Sequence, residues 1–158
     1  MRIVSNKAAG SASGSSCGAR HTVSTVAFSQ FEITDITDED FGPALFEAGA
    51  TNGYVSTCYT ASDVFIFRID SGGFTLGATV AGTSWQVGDV PAIRRSGGNV
   101  IVSIDGSDVL TYVDSTYTSV VPGLFSYGGG GRFINWTDGV GGGLVIALMA
   151  DYYRRMRA

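Results

Sequence analysis

Five of the fourteen acidic residues fall between Glu32 and Asp40, in FEITDITDED, and so dense a run of carboxylates is the first place to look for chemistry. Calcium takes six or more oxygens from carboxylates and backbone carbonyls. Asp35, Asp38 and Asp40 could supply some of them, although their spacing is not that of an EF-hand loop; a solvated loop tip that closes a strand is the simpler reading. Retaining glycoside hydrolysis needs two carboxyl groups about 5 Å apart, a distance that side chains at i and i+2 of one strand achieve. Glu32 is followed at that spacing by Thr34, while Asp38 and Asp40 have the spacing but fall in an expected turn. The paired acids of a glycosidase are therefore missing.

Other reactive groups are equally isolated. His21 is the single histidine, and without a G-x-S-x-G elbow it reads as a residue on a half-exposed strand rather than a member of a triad. The glycines Gly128 to Gly131 are not followed by Lys-Ser/Thr or a helix start, so they form a flexible hairpin and not a phosphate cradle. Cys17 and Cys58 lack the paired spacing of a zinc site; a single bridge between them stays open, because sequence does not give their separation in space. Exposed aromatic rings stack on sugars and mark protein interfaces. Trp85, Tyr112, Tyr117, Tyr127 and Trp136 are the candidates for such contact, with core packing as the alternative for each, and Phe65 and Phe67 are expected in the core.

The elements that must position these residues are short strands. Apolar residues make up 44% of the chain and charged residues 15%, which excludes a disordered chain, and 158 residues suit one core. Glycine, at 23 residues without a period of three, implies many tight turns. A net charge of −4 argues against nucleic acid, which is bound by neutralising phosphates. In DVFIFRIDSGGFTLGATVA, Phe65, Phe67 and Ile69 share one face, and Ser71, Gly72 and Gly73 supply the turn. In NVIVSIDGSDVLTYVD, Asp105-Gly106 permits the positive φ angles of a tight hairpin. Val100, Val102 and Ile104 point one way, and Tyr112 shares a face with Leu110. Pro91 favours a strand start or an edge. With RHTVSTVAF, QFEITDI, PALFEA, GYVSTCYT, PGLFSY and GRFINWTDG, the count is about ten or eleven strands, the pattern of an all-β antiparallel sandwich.

The closing segment LVIALMADYYRRMRA departs from this pattern. Its Ala, Leu and Met residues favour a helix, with a strand as the alternative, and its apolar part is shorter than the ~20 residues of a membrane span. Residues 139–158 thus read as a Gly-rich linker and an apolar, basic tail. Leu144, Ile146, Leu148, Tyr152, Tyr153, Arg154 and Arg155 would make contacts with the sandwich or with a neighbouring subunit.

The stretch GTSWQVGDVPAIRRSGGNVIVSIDGSDVLTYVDSTYTSVVPGLFSYGGGGRFINWTDG resembles the second half of concanavalin A-like lectin/glucanase jelly rolls, the laminin-G-like group. Gly88-Asp89 opens a strand, Asp105-Gly106 makes a turn, Asp114 to Gly123 is similar to a DxxYxxGxxG segment, and Arg132 to Trp136 to a closing strand. NGYVSTCYTASDVFIFRI resembles the central strands and RIVSNKAAG an early one. The resemblance spans residues 2–138 and implies a jelly roll over 1–138 that starts without the family's usual first strand. An unpaired edge is a template for association, which implies a homo-oligomer. Such modules occur in phage and bacterial surface proteins. With no signal peptide in this chain, the expected function is non-catalytic: a structural or accessory protein of a virion or cell-surface assembly, acting as a phage decoration or fibre-associated domain. The alternative is a lectin-like carbohydrate-binding module, with or without calcium, and no other cofactor is expected.

Overall fold

A computed structural model describes residues 16–20, 28–36, 41–47, 50, 52–59, 63–127 and 131–138, with residues 16–20, 59, 126, 127 and 131–138 described by backbone alone. His21, Asp38, Asp40, Gly128–Gly130 and the whole tail from Leu144 to Arg155 lie outside the described residues, as do the side chains of Tyr127 and Trp136. Every described element is a strand. They are β1 (Ser16–Arg20), β2 (Phe28–Ile36), β3 (Phe41–Glu47), β4 (Gly53–Tyr59), β5 (Asp63–Asp70), β6 (Gly73–Ala81), β7 (Pro91–Ser96), β8 (Asn99–Ile104), β9 (Ser107–Val113), β10 (Val120–Tyr127) and β11 (Gly131–Asp138). Among the described residues no helix is long and apolar enough to cross a membrane.

The strands form two antiparallel sheets, one of six in the order β1-β10-β3-β4-β5-β6 and one of five in the order β11-β2-β7-β8-β9. This is the expected β-sandwich. Both predicted hairpins are present, and their turn chemistry is the reason: Ser71 and Gly72 have φ of 51° and 86°, Asp105 and Gly106 of 51° and 79°, so all four central residues adopt the left-handed backbone of primed turns. The Gly88-Asp89 motif works through its backbone. Gly88 N–H donates to Ile33 O at 2.9 Å and Ile33 N–H to Asp89 O at 3.0 Å, which fastens the β6–β7 loop to β2.

Between the sheets lies the main core, built from Phe31 and Ile33 of β2, Phe41 and Leu45 of β3, Tyr54 of β4, Val64 and Ile66 of β5, Ile93 of β7, Val100 and Val102 of β8, and Val120 and Leu124 of β10. Ser29 Oγ crosses it to donate to Gly123 O at 2.7 Å. The expectation for β5 is corrected. Val64 and Ile66, both 0% exposed, face inward, so Phe65, Phe67 and Ile69 point to the outer side of the six-stranded sheet, where Ile69 joins a second cluster with Ala44, Phe46, Val55 and Phe125, and Phe67 packs against it. In a run apolar at every position, alternation tells which residues share a face but not which face is inside.

Cys17 on β1 and Cys58 on β4 stand three strands apart in the sheet order, roughly 14 Å, about twice the Cα separation that a disulfide tolerates. At the opposite edge, the β5–β6 register shifts after Ile66, with Phe67 facing Leu76 and Ile66 facing Ala78, which leaves Gly77 as the extra residue of a bulge. A Cβ placed there would lie 2.6 Å from the Tyr112 ring. The missing side chain is what lets β9 close over β6.

Gly77→Ala should therefore lower stability by about 1–3 kcal/mol through overpacking, and the loss should shrink in a Tyr112→Ala background. Urea unfolding of the four proteins of this double-mutant cycle measures the coupling. Equal losses in both backgrounds would show that the ring is not what excludes the methyl group.

Candidate functional site

Tyr54, Arg68, Asp70, Tyr112, Asp114, Thr116 and Tyr117 gather at one end of the sandwich, where β4, β5, β9 and the β9–β10 loop meet. Four of them arrive as two i, i+2 pairs, Arg68 with Asp70 and Tyr112 with Asp114; within a strand that spacing puts side chains on one face. Thr116 and Tyr117 follow in the β9–β10 loop, and Tyr54 comes from β4, 60 residues before Asp114. Asp114 is the centre. Its Oδ1 accepts from Tyr54 Oη at 2.7 Å and from Thr116 N–H at 2.6 Å. Its Oδ2 accepts from Tyr112 Oη at 2.7 Å and from Arg68 Nη1 at 2.9 Å. The backbone is held as well, since Asp114 N–H donates to Gly98 O at 2.9 Å and Arg95 Nη1 donates to Asp114 O at 3.2 Å.

A second carboxylate completes the cluster. Arg68 Nε donates to Asp70 Oδ2 at 2.8 Å, its Nη1 reaches Thr116 Oγ1 at 3.3 Å, and Tyr117 Oη donates to Asp70 Oδ1. Tyr117 N–H also donates to Tyr54 Oη at 3.1 Å. The rings of Tyr112 and Tyr117 meet that of Tyr54 edge-on, with centroids 6.4 and 5.8 Å away. The Arg95 guanidinium lies 5.8 Å from the Tyr54 centroid. Asp114 is buried, 8% exposed, whereas the Arg68 and Asp70 side chains are 27% and 38% exposed and Ser115, Thr116 and Ser71 are exposed. The cluster thus has a sealed floor and a polar rim.

Proton affinities follow from these contacts. Burial pushes the Asp114 carboxyl up, but the donors from Thr116, Tyr112 and Tyr54 outweigh it and hold the group far below the usual carboxylate range. Asp70 is held down by Tyr117 and then by Arg68. The same contact with Asp70 pushes the Tyr117 phenol up to about 12. Burial raises Tyr54, and the bond to Asp114 raises Tyr112. A general acid at neutral pH needs a carboxyl pKa raised toward 6 or 7; both carboxyls here move the other way. What the rim offers is fixed charges, hydroxyls and a phenol.

The structure brings together two of the five aromatic candidates, Tyr112 and Tyr117. It places Trp85 in the core, 3% exposed and edge-on to Phe31 and Phe41 at 6.4 and 5.8 Å, which removes it as a surface contact. Trp136 lies where the β11–β2 register shifts between Ile134 and Thr137. Of the calcium candidates, Asp35 sits within β2, with its backbone opposite Arg132, and among the described residues no group of three or more His, Cys, Asp or Glu is arranged to hold a metal. Tyr54, Arg68 and Asp70 were not singled out from sequence; the i, i+2 placement of an arginine and an aspartate beside a turn was the available signal.

No family model and no curated protein matches the chain. Solved structures do. The carbohydrate binding module CBM66 from Bacillus subtilis aligns with a TM-score of 0.63 at 17% identity, covering 81% of this chain and 81% of that one. The galectin LEC-6 from Caenorhabditis elegans aligns with a TM-score of 0.55 at 12% identity over 87% of this chain and 98% of that one. A toad ovary galectin, solved in complex with thio-digalactose, gives 0.55 at 12% identity over 77% and 96%. These likenesses show the fold, a jelly-roll β-sandwich.

Asp114→Asn should cost about 2–4 kcal/mol at pH 7, because Arg68 and two phenols lose a charged acceptor. Two pH limbs are expected from linkage. Asp114 and Asp70 are lowered in the folded state, so their stabilisation is full above the unfolded carboxylate range near pH 4 and is lost as pH falls through their folded values. Tyr117 is raised, so its contribution is full below about pH 10 and is lost as pH rises through about 12. Urea midpoints between pH 2 and 12 should show Asp114→Asn flattening the acid limb and Tyr117→Phe the alkaline one. Variants whose limbs match the parent protein would refute this assignment.

Proposed function

We propose that this chain is a non-catalytic carbohydrate-binding module of the β-sandwich type, and that it meets its glycan at the rim formed by Arg68, Asp70, Ser71, Thr116 and Tyr117. The observation that carries the reading is the fold match to the carbohydrate binding module CBM66, which runs along 81% of both chains; the likeness to galectins supports it. The rim adds a chemical rationale. Sugar hydroxyls each donate and accept, and the rim sets guanidinium, carboxylate, hydroxyl and phenol groups side by side on rigid strands and one pinned loop. Its two carboxylates are bridged by one arginine and kept ionised, which favours binding over acid catalysis.

A second reading, a structural or accessory protein of a phage virion or cell-surface assembly working as an oligomer, is supported by one separate observation. Phe74 and Leu76 of β6 are 45% and 53% exposed on the outer side of the six-stranded sheet, where an apolar contact with another protein would be made. Calcium assistance through Asp35, Asp38 and Asp40 belongs to the carbohydrate reading as an added proposal.

A glycan array with and without calcium, followed by amide chemical-shift mapping with the best ligand, separates these. Binding is expected, with shifts clustered at residues 68–71 and 114–117. A blank array in both conditions would defeat the carbohydrate reading, and shifts confined elsewhere would defeat the rim. Light scattering addresses the second reading, which a strict monomer with no captured partner would sink.

A further inference from the structure

The outer side of the six-stranded sheet is a trough in which the rings of Phe74 and Phe125 meet at 5.6 Å although their strands stand four places apart in the sheet order. Phe46, Val55, Ile69 and Phe125 cover one another there. The most exposed apolar surface on this side lies at the β6 lip, where Phe74 and Leu76 are 45% and 53% exposed. Among the described residues β6 is also an edge of its sheet, as β1 is at the other side and β9 and β11 are in the five-stranded sheet. Edge strands are normally blunted by charges, prolines or bulges, because their unpaired N–H and C=O groups invite another strand. β1 carries Arg20, β9 carries Asp108, and β11 carries Arg132 and Asp138. β6 runs for nine residues with neither a charge nor a proline. Its irregularity is the bulge at Gly77.

That bulge gives β6 an unusual order of faces. Phe74, Leu76, Thr79 and Ala81 stand opposite Ile69, Phe67, Phe65 and Asp63 of β5 and face outward with them, whereas Thr75, Ala78 and Val80 stand opposite Arg68, Ile66 and Val64 and face inward. Gly77 faces inward too, since a Cβ there would meet the Tyr112 ring of the other sheet. From Phe74 to Ala81 the order is therefore out, in, out, in, in, out, in, out, which reads the same from either end. A regular strand alternates without interruption and matches only half of it. A second β6, running antiparallel and centred between Gly77 and Ala78, matches all of it, because it brings an identical bulge to the same place. Every other antiparallel register that overlaps half the strand or more sets an outward residue opposite an inward one. The matching register also sets large against small on the outer side, Phe74 opposite Ala81 and Leu76 opposite Thr79. We propose that two copies of this chain pair through β6 in this register, as a two-fold dimer whose six-stranded sheets join into one. The pairing stands apart from glycan binding, and it gives the oligomer of the second reading a definite surface and geometry.

The full chain tests this. Sedimentation equilibrium should show a monomer–dimer equilibrium, and a mixed-label sample of the dimer should give isotope-filtered nuclear Overhauser contacts from the Leu76 methyl groups of one copy to the Thr79 methyl group of the other, and from the Phe74 ring to the Ala81 methyl group. Leu76→Lys/Thr79→Lys sets lysines against each other twice across the axis, on side chains that are exposed in the single chain. It should raise the dimer Kd by about a hundredfold or more while strand circular dichroism is retained; an unchanged Kd would overturn the proposal. A parent protein that stays monomeric at millimolar concentration would sink both the pairing and the homo-oligomer. A dimer whose filtered contacts lie on another surface would defeat the pairing and leave the oligomeric reading standing. Hydrogen-exchange protection of the outward-edge β6 amides in the dilute monomer would show that another part of the same chain covers this edge, which also overturns the proposal.

Discussion

A carboxylate buried where two sheets meet has to collect its hydrogen-bond donors from both, and Asp114 does so with every acceptor position it has. Tyr54 and Arg68 reach it from the six-stranded sheet, Tyr112 from the five-stranded sheet, and Thr116 from its own loop. Each bond offsets the cost of taking the charge out of water, and only the complete set makes the burial tolerable. The geometry of this end of the sandwich follows from that requirement. Tyr54 must stay at the interface with its hydroxyl toward the loop, Tyr112 must lean over β6, and Gly77 must lack a side chain so that it can. The positions of Arg68, Asp70 and Tyr117, which form the exposed rim, are in turn set by the atoms that Asp114 leaves them.

The strand framework was legible in the sequence because turn chemistry punctuates it. Ser71-Gly72 and Asp105-Gly106 could be placed from residue type alone, since few residues accept positive φ, and the β8 alternation put Val100 and Val102 on one face, which the structure turns into the core. Direction failed at β5. Val64 to Phe67 is apolar throughout, so periodicity carried no sign, and the larger rings fell on the outer side because the trough there has room for them. The Asp114 cluster was only half visible. The segment from Asp114 to Tyr117 stood out as a motif, but its partners Tyr54 and Arg68 are 60 and 46 residues away, and no local pattern reports a contact at that range. Trp85 was misleading for a related reason: it sits in a loop by sequence, yet that loop is tied down to β2 by Gly88 and Asp89, which carries the indole inside.

Two surfaces of opposite character result. At the seam, polar groups are held rigidly because they satisfy one another, and an exposed rim of charges and hydroxyls is the by-product of a structural need. On the outer side of the six-stranded sheet, phenylalanines line a trough in which Phe74 and Phe125 meet at 5.6 Å. The rim supplies the chemical rationale for the carbohydrate reading, whereas the assembly reading draws on exposed Phe74 and Leu76 of β6. The division is physical: one surface can exchange hydrogen bonds with water and sugar alike, whereas the other gains only by excluding water.

The long-range ties that close the sandwich also govern how it is made. Ser29 and Gly123 are 94 residues apart and Tyr54 and Asp114 are 60 apart, so loop-closure entropy opposes both contacts until much of the chain is already ordered. Topologies dominated by such pairings fold in milliseconds to seconds rather than microseconds. The β5–β6 and β7–β8–β9 hairpins depend on neighbours only a few residues away and can form early, with the apolar faces of β5 exposed on both sides meanwhile. The Asp114 clasp comes late. During that interval the chain is at its most vulnerable to association through the phenylalanine-rich strand, and the speed with which the clasp shuts decides how much of it is lost.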